Sequence, residues 1–171
     1  MQETFSLWII GPSASGKTTI SKLLYGKMSK TFNNLILLDG DQTRKLYDNN
    51  LGYDAASRSK NTHRYIKMIK WLNDYNISSI VAVISPFEKD RIICRKEIKN
   101  YKEVYLECSI DERIKRDKKK LYLPALKGVK KHVVDVDIPF DKPVNCDISI
   151  DTEKQKPESV TEEIVKKLKL L

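Results

Sequence analysis

One short stretch constrains this chain more than any other. Gly11-Pro12-Ser13-Ala14-Ser15-Gly16-Lys17-Thr18 matches the phosphate-loop pattern G-x-x-x-x-G-K-[ST] at each fixed position. The context fits as well. The apolar run Phe5–Ile10 leads into the loop and predicts a buried parallel strand. Thr18–Lys30 follows, with Ile20, Leu23, Leu24 and Met28 at helical spacing. Glycines allow a tight turn whose backbone N–H groups converge on phosphate oxygens. The helix N-terminus adds partial positive charge. In such a loop Lys17 reaches the outer phosphates, and the Thr18 hydroxyl can hold Mg²⁺.

The remaining pattern alternates between strand and helix. Strands are predicted at Leu35–Leu38, Ile80–Ile84, Val104–Cys108 and Asp147–Asp151. Helices are predicted over Ser57–Tyr75, Glu88–Lys99, Asp111–Arg116 and Ser159–Leu171. Ser159 and Glu162 stand at capping-box spacing for the last of these. Alternation of this kind predicts an α/β protein with a five-stranded parallel sheet flanked by helices. At 171 residues the chain reads as one domain.

Charge singles out one segment. The formal net charge is +9, and residues 115–131 carry eight basic side chains against one acid. This basic, weakly periodic window separates the last two strands and reads as a lid over a phosphate site, spanning about 115–135. The charge points to an anionic partner. Cys94, Cys108 and Cys146 have no metal-ligand spacing and read as buried, reduced thiols. Apolar runs are too short for a membrane span, so a cytoplasmic protein with no membrane partner is expected.

Acidic residues complete the pattern. Asp39 and Asp41 follow the second strand, at the strand end where open α/β sheets bind ligands. One residue apart on an extended segment, they could share a side. One could orient Mg²⁺ and the other accept a proton from a hydroxyl nucleophile. Arg44, Arg58 and Arg91 lie near the same edge and have forks suited to phosphate. Tyr53 could stack a nucleobase, although core packing is commoner for an isolated tyrosine. His63 and His132 lack ligand-spaced partners and are not read as catalytic.

Taken together, these residues resemble the adenylylsulfate (APS) kinase family. The resemblance is carried by the loop, by Leu38-Asp39-Gly40-Asp41, and by Leu51-Gly52-Tyr53 with Arg58 and Asn61. It continues through Ile84-Ser85-Pro86-Phe87 with Asp90-Arg91, and Arg116-Asp117 with Leu121-Tyr122. It implies a P-loop kinase fold, often a homodimer, that moves the γ-phosphoryl of ATP to a nucleotide ribose 3′-hydroxyl. On matching positions it implies that Gly11, Ser13, Ala14, Ser15, Gly16, Lys17, Thr18, Thr19 and Arg116 hold ATP. Thr18 and Asp39 are implied for Mg²⁺. Asp41, Arg44, Tyr53, Arg58, Asn61, Ile84, Ser85, Lys119 and Leu121 are implied to hold the acceptor. Lys17, Asp39, Asp41 and Ser85 form the implied catalytic group, Ser85 matching a serine described in the family as a phosphoserine intermediate. Direct in-line transfer is preferred here, because positioning and charge stabilisation suffice for phosphoryl transfer.

The departures from the family fall on the acceptor side. Leu123, Pro124 and Leu126 stand where the family usually carries two lysines and an arginine. Val133 replaces a phenylalanine that helps clamp adenine, and Asp48, Lys60 and His63 replace Asn, Glu and Arg. A lost aromatic face removes ~1–3 kcal/mol of base stacking. Cytidine diphosphoramidate, the acceptor of a family relative in capsule phosphoramidate synthesis, is therefore favoured over adenylylsulfate. Two other classes stay open: a P-loop kinase of the adenylate or gluconate type, and a nucleotide-dependent RNA-binding module. The basic residues gather in one window instead of interleaving with aromatics, so no nucleic-acid partner is expected.

Overall fold

The computed structural model describes residues 3–170 and contains one five-stranded sheet, with every neighbouring pair parallel. The strands are β1 (Ser6–Ile10), β2 (Leu35–Asp39), β3 (Ser78–Val83), β4 (Tyr101–Glu107) and β5 (Ile148–Asp151), in the order β2-β3-β1-β4-β5. The helices are α1 (Lys17–Met28), α2 (Gly40–Leu46), α3 (Ala55–Asp74), α4 (Glu88–Glu97), α5 (Ile110–Arg116), α6 (Tyr122–Leu126) and α7 (Pro157–Leu168).

β1 shows why its sequence is apolar without alternation. All five residues are buried, because helices cover both faces of the sheet. Leu7 and Ile9 point into a core with Ile20, Leu24 and Met28 of α1 and Val160 and Ile164 of α7. Trp8 and Ile10 point the other way, onto Tyr65 and Ile69 of α3 and Cys94 of α4. The period-two alternation of a strand thus feeds two cores at once. In register, Ile10 stands beside Val83 and Asp39 beside Ala82, so β1, β2 and β3 end in one row. That row supports the candidate site.

Several expectations are corrected. The Asp39-Gly40-Asp41 stretch is no simple turn: Asp39 caps α2, a helix absent from the sequence reading, and its side chain accepts from the Asp41 N–H. The two carboxylates are therefore cap and first-turn residue, not neighbours on an extended segment. The basic window is partly helical, with α6 inside it. α3 begins at Ala55, two residues early, because Asp54 caps it. α7 begins at Pro157 after Lys156, so Ser159 is inside the helix and not its cap. The expected end at Leu171 lies outside the described residues. The cysteines are free, but Cys146 is only half-buried. Among the described residues no helix is long and apolar enough to cross a membrane.

Candidate active site

The loop between β1 and α1 has the geometry its glycines require. Gly11 has φ 148°, and a Cβ there would lie 2.8 Å from both the Leu106 carbonyl and the Ser15 hydroxyl. Gly16 turns into α1 at φ 99°, in the left-handed region that favours glycine. Ala14 also has a positive φ, 63°. The Ser15 hydroxyl is buried and finds no protein partner. Lys17 Nζ donates to the Pro12 carbonyl at 2.6 Å, folded back over the loop. Burial first, and then the neighbouring Lys119 ammonium, lowers the Lys17 ammonium to about 7.

β2 delivers the carboxylates. Thr18 Oγ1 donates to Asp39 Oδ2 at 2.7 Å, while Asp39 Oδ1 accepts from the Asp41 N–H at 3.0 Å. Asp39 is buried and fixed at both oxygens. Asp41 is more than half exposed and forms an ion pair with Lys119 of the basic segment. The donor set suits Mg²⁺: a hydroxyl and a carboxylate are hard oxygen ligands, and the ion keeps waters and phosphate oxygens for its other positions. Among the described residues no three His, Cys, Asp or Glu side chains gather into an all-protein cage.

Beyond α2 lies a cationic shelf. Arg44 stands 4.5 Å from the Tyr53 ring centroid and Arg58 5.7 Å. Arg44 donates to the Leu51 and Gly52 carbonyls, and Arg58 to those of Tyr53 and His132. Burial first, and then Arg44, lowers the Arg58 guanidinium to about 10. Tyr53 is 54% exposed, so the core-packing expectation is wrong for it. Asn61 follows one turn after Arg58 on α3. Across the row, Ile84 and Ser85 continue from β3; Ser85 has φ 44°, and its buried hydroxyl has no protein partner.

The basic segment is tied to the loop by Arg116, expected at ATP, and by Tyr122, Arg113 and Thr152, to which the sequence pattern gives no role. The Tyr122 hydroxyl donates to the Ser13 carbonyl at 2.8 Å and accepts from Arg113 at 2.9 Å. Arg113 pairs with Asp135. Asp117 accepts from the Leu121 and Tyr122 N–H groups and so fixes the start of α6. Arg116 donates to Thr152, whose hydroxyl donates to the Ser15 carbonyl. Thr19 sits in the first turn of α1. Val133 is buried against Tyr122 and Ala125, so that position belongs to the core of the lid.

Arg91 overturns its expectation. It is not a phosphate fork at the edge but a fully buried side chain, bound to Glu88 and to the Ser85 and Asp141 carbonyls. Its sequence signal was available. Arg91, Cys94 and Ile98 share one helical face, which places a charge inside an apolar stripe.

Known proteins agree with this geometry. The family model described as adenylylsulphate kinase matches residues 3–151. A cytidine diphosphoramidate kinase from Campylobacter jejuni is 41% identical, over 97% of this chain and 97% of its own length. A probable adenylyl-sulfate kinase from Archaeoglobus fulgidus is 38% identical, over 88% of this chain and 97% of its own. The Mycobacterium tuberculosis APS kinase in complex with AMPPNP and APS superposes with a TM-score of 0.89 at 27% identity, covering 99% of each chain.

Proposed function

The chain belongs to the adenylylsulphate kinase family and is a kinase, and from that premise we propose that it transfers the γ-phosphoryl of ATP to the ribose 3′-hydroxyl of a nucleoside 5′-anhydride. The favoured acceptor is cytidine diphosphoramidate. The observation that carries this reading is the pairing of one buried, doubly fixed carboxylate with one open carboxylate beside the phosphate loop.

Each group then has a task. The loop amides and Lys17 hold the ATP phosphates. Thr18 and Asp39 would hold Mg²⁺, which would supply charge neutralisation for phosphoryl transfer. Asp41 faces the acceptor hydroxyl and takes its proton as the oxygen attacks in line. Arg44 and Arg58 hold the acceptor's anhydride charges, and Tyr53 offers its ring to the base. Lys119 leaves Asp41 for the incoming phosphates. Their contact is an exposed pair worth only ~0–1 kcal/mol, so it opens readily. Ser85 and Ile84 border the sugar. A homodimer is the assembly that the family brings with it.

The acceptor preference rests on the 41% identical relative, which is named for cytidine diphosphoramidate; Val133 adds nothing to it, because it packs in the core of the lid instead of facing a base. The reading is tested by offering ATP and Mg²⁺ with cytidine diphosphoramidate, adenylylsulfate, gluconate and AMP in separate assays. A larger kcat/KM for cytidine diphosphoramidate is expected. A preference for adenylylsulfate reverses the acceptor assignment, and turnover of gluconate or AMP alone ends the reading.

A further inference from the structure

Ser85 combines three features that do not arise by default. Its backbone lies at φ 44°, a conformation that side chains other than glycine adopt at a cost. Its residue is 4% exposed, and its hydroxyl oxygen has no protein partner. It also stands two residues past the end of β3, whose neighbours β1 and β2 lead into the phosphate loop and end at Asp39. A buried, unpaired hydroxyl is unfavourable unless something else pairs with it. A strained residue persists only where its surroundings over-determine it.

The surroundings here are specific. Arg91 Nη1 donates to the Ser85 carbonyl at 2.7 Å. The same guanidinium donates through Nε and Nη2 to Glu88 Oε2, at 2.9 and 2.6 Å, and through Nη2 to the Asp141 carbonyl at 2.5 Å. The Asp141 N–H in turn donates to the Pro86 carbonyl at 2.8 Å, and the Asp141 carboxylate accepts from the Glu88 N–H. Two consecutive carbonyls, Ser85 and Pro86, are thus gripped from one side by α4 and from the other by the strand-less segment that follows the lid. Phe140, next to Asp141, stacks on Tyr105 and lies under the Arg91 guanidinium. A fully buried guanidinium gains no net stability by default over a well-packed apolar side chain. Glu88 and the Asp141 carbonyl anchor its Nε and Nη2, which leaves Nη1 aimed at the strained Ser85 carbonyl at the edge of the site.

We propose that Arg91 is a positioning residue for the acceptor: it holds the Ser85 backbone in its strained conformation, so that the unpaired Ser85 hydroxyl is presented to a sugar oxygen of the bound nucleotide. The proposal rests on the kinase reading above. Arg91 touches no substrate and acts through Ser85. Because Asp141 shares the grip, the position of Ser85 is also referred to the root of the lid. Arg91 makes no hydrogen bond to the phosphate loop, so ATP binding is expected not to depend on this grip.

The test is a double-mutant cycle read on the two Michaelis constants, with ATP and whichever nucleotide the wild type turns over best. Arg91→Lys keeps a charge for Glu88 but loses the fork, and is expected to raise the acceptor KM about tenfold, since small misplacement at a reacting centre is costly. The KM for ATP stays within about twofold. Ser85→Ala raises the acceptor KM about threefold to tenfold. The double variant is expected to be no worse than the poorer single one, because both remove the same contact. Glu88→Gln, which loosens the guanidinium from outside the core, moves the acceptor KM the same way by about threefold and serves if Arg91→Lys does not fold. An unmoved acceptor KM in active variants, equal rises in both constants, or multiplicative effects in the double variant overturn the inference. A wild type inactive on both anhydride nucleotides takes down the kinase reading and this inference with it.

Discussion

At the scale of single residues the account turns on Lys17 and Asp41. Unliganded Lys17 sits near 7 because burial and Lys119 both disfavour its charge. ATP favours the charged form, so binding above pH 7 draws in a proton. The sign follows: the protonated loop binds, its fraction falls as pH rises, and ATP affinity weakens by up to about tenfold per pH unit. Calorimetry at pH 8 in two buffers of different ionisation heat should show uptake approaching one proton. Lys119→Met removes one of the two main charge-disfavouring causes, so it should reduce that uptake. Asp41→Asn should lower kcat by about 10²–10⁴-fold, the contribution of a positioned proton acceptor, while ATP titrations stay near wild type. Ser85→Ala should still turn over, and rapid-quench experiments with labelled ATP should find no phosphoenzyme. The residues of the loop were legible in the sequence because the motif fixes their spacing. Tyr122 and Arg113 were not, because their work depends on contacts between residues far apart in the chain, such as Tyr122 with Ser13.

At the scale of elements the lid is the informative piece. Its charge was visible in the sequence; its order was not. Lysine runs suggest a solvated loop, but the Asp117 carboxylate holds the Leu121 and Tyr122 N–H groups and Tyr122 carries α6 into the core beneath the phosphate loop. A five-residue helix among lysines leaves only a weak periodic trace in the sequence. α2 was missed for a related reason: its cap, Asp39, doubles as the last strand residue, and Gly40 reads as a breaker. Tyr122→Phe removes the hydroxyl between Arg113 and the Ser13 carbonyl and leaves both without that partner. It should cost about 1–3 kcal/mol in urea unfolding. It should also raise the KM for ATP, since the loop loses its tie to the lid.

At the scale of the whole molecule, strand–helix alternation and continuous apolar strands were sufficient to anticipate a parallel sheet covered on both faces. Strand order was not readable from periodicity, because long crossovers leave no local trace of which strands become neighbours. The order observed brings the ends of β1, β2 and β3 into one row, and that row assembles the loop, the two aspartates and Ser85 from positions more than seventy residues apart in sequence. Charge suits the proposed function: the basic segment reaches the end of the sheet through the Lys119–Asp41 pair, beside the loop proposed to hold the phosphates. The same arrangement makes the product specific. Phosphorus NMR of the wild-type protein with ATP, Mg²⁺ and cytidine diphosphoramidate tests it directly. The account predicts ADP in step with a new phosphomonoester coupled to the ribose H3′. ADP with free phosphate alone, or a phosphate on any other oxygen, contradicts it.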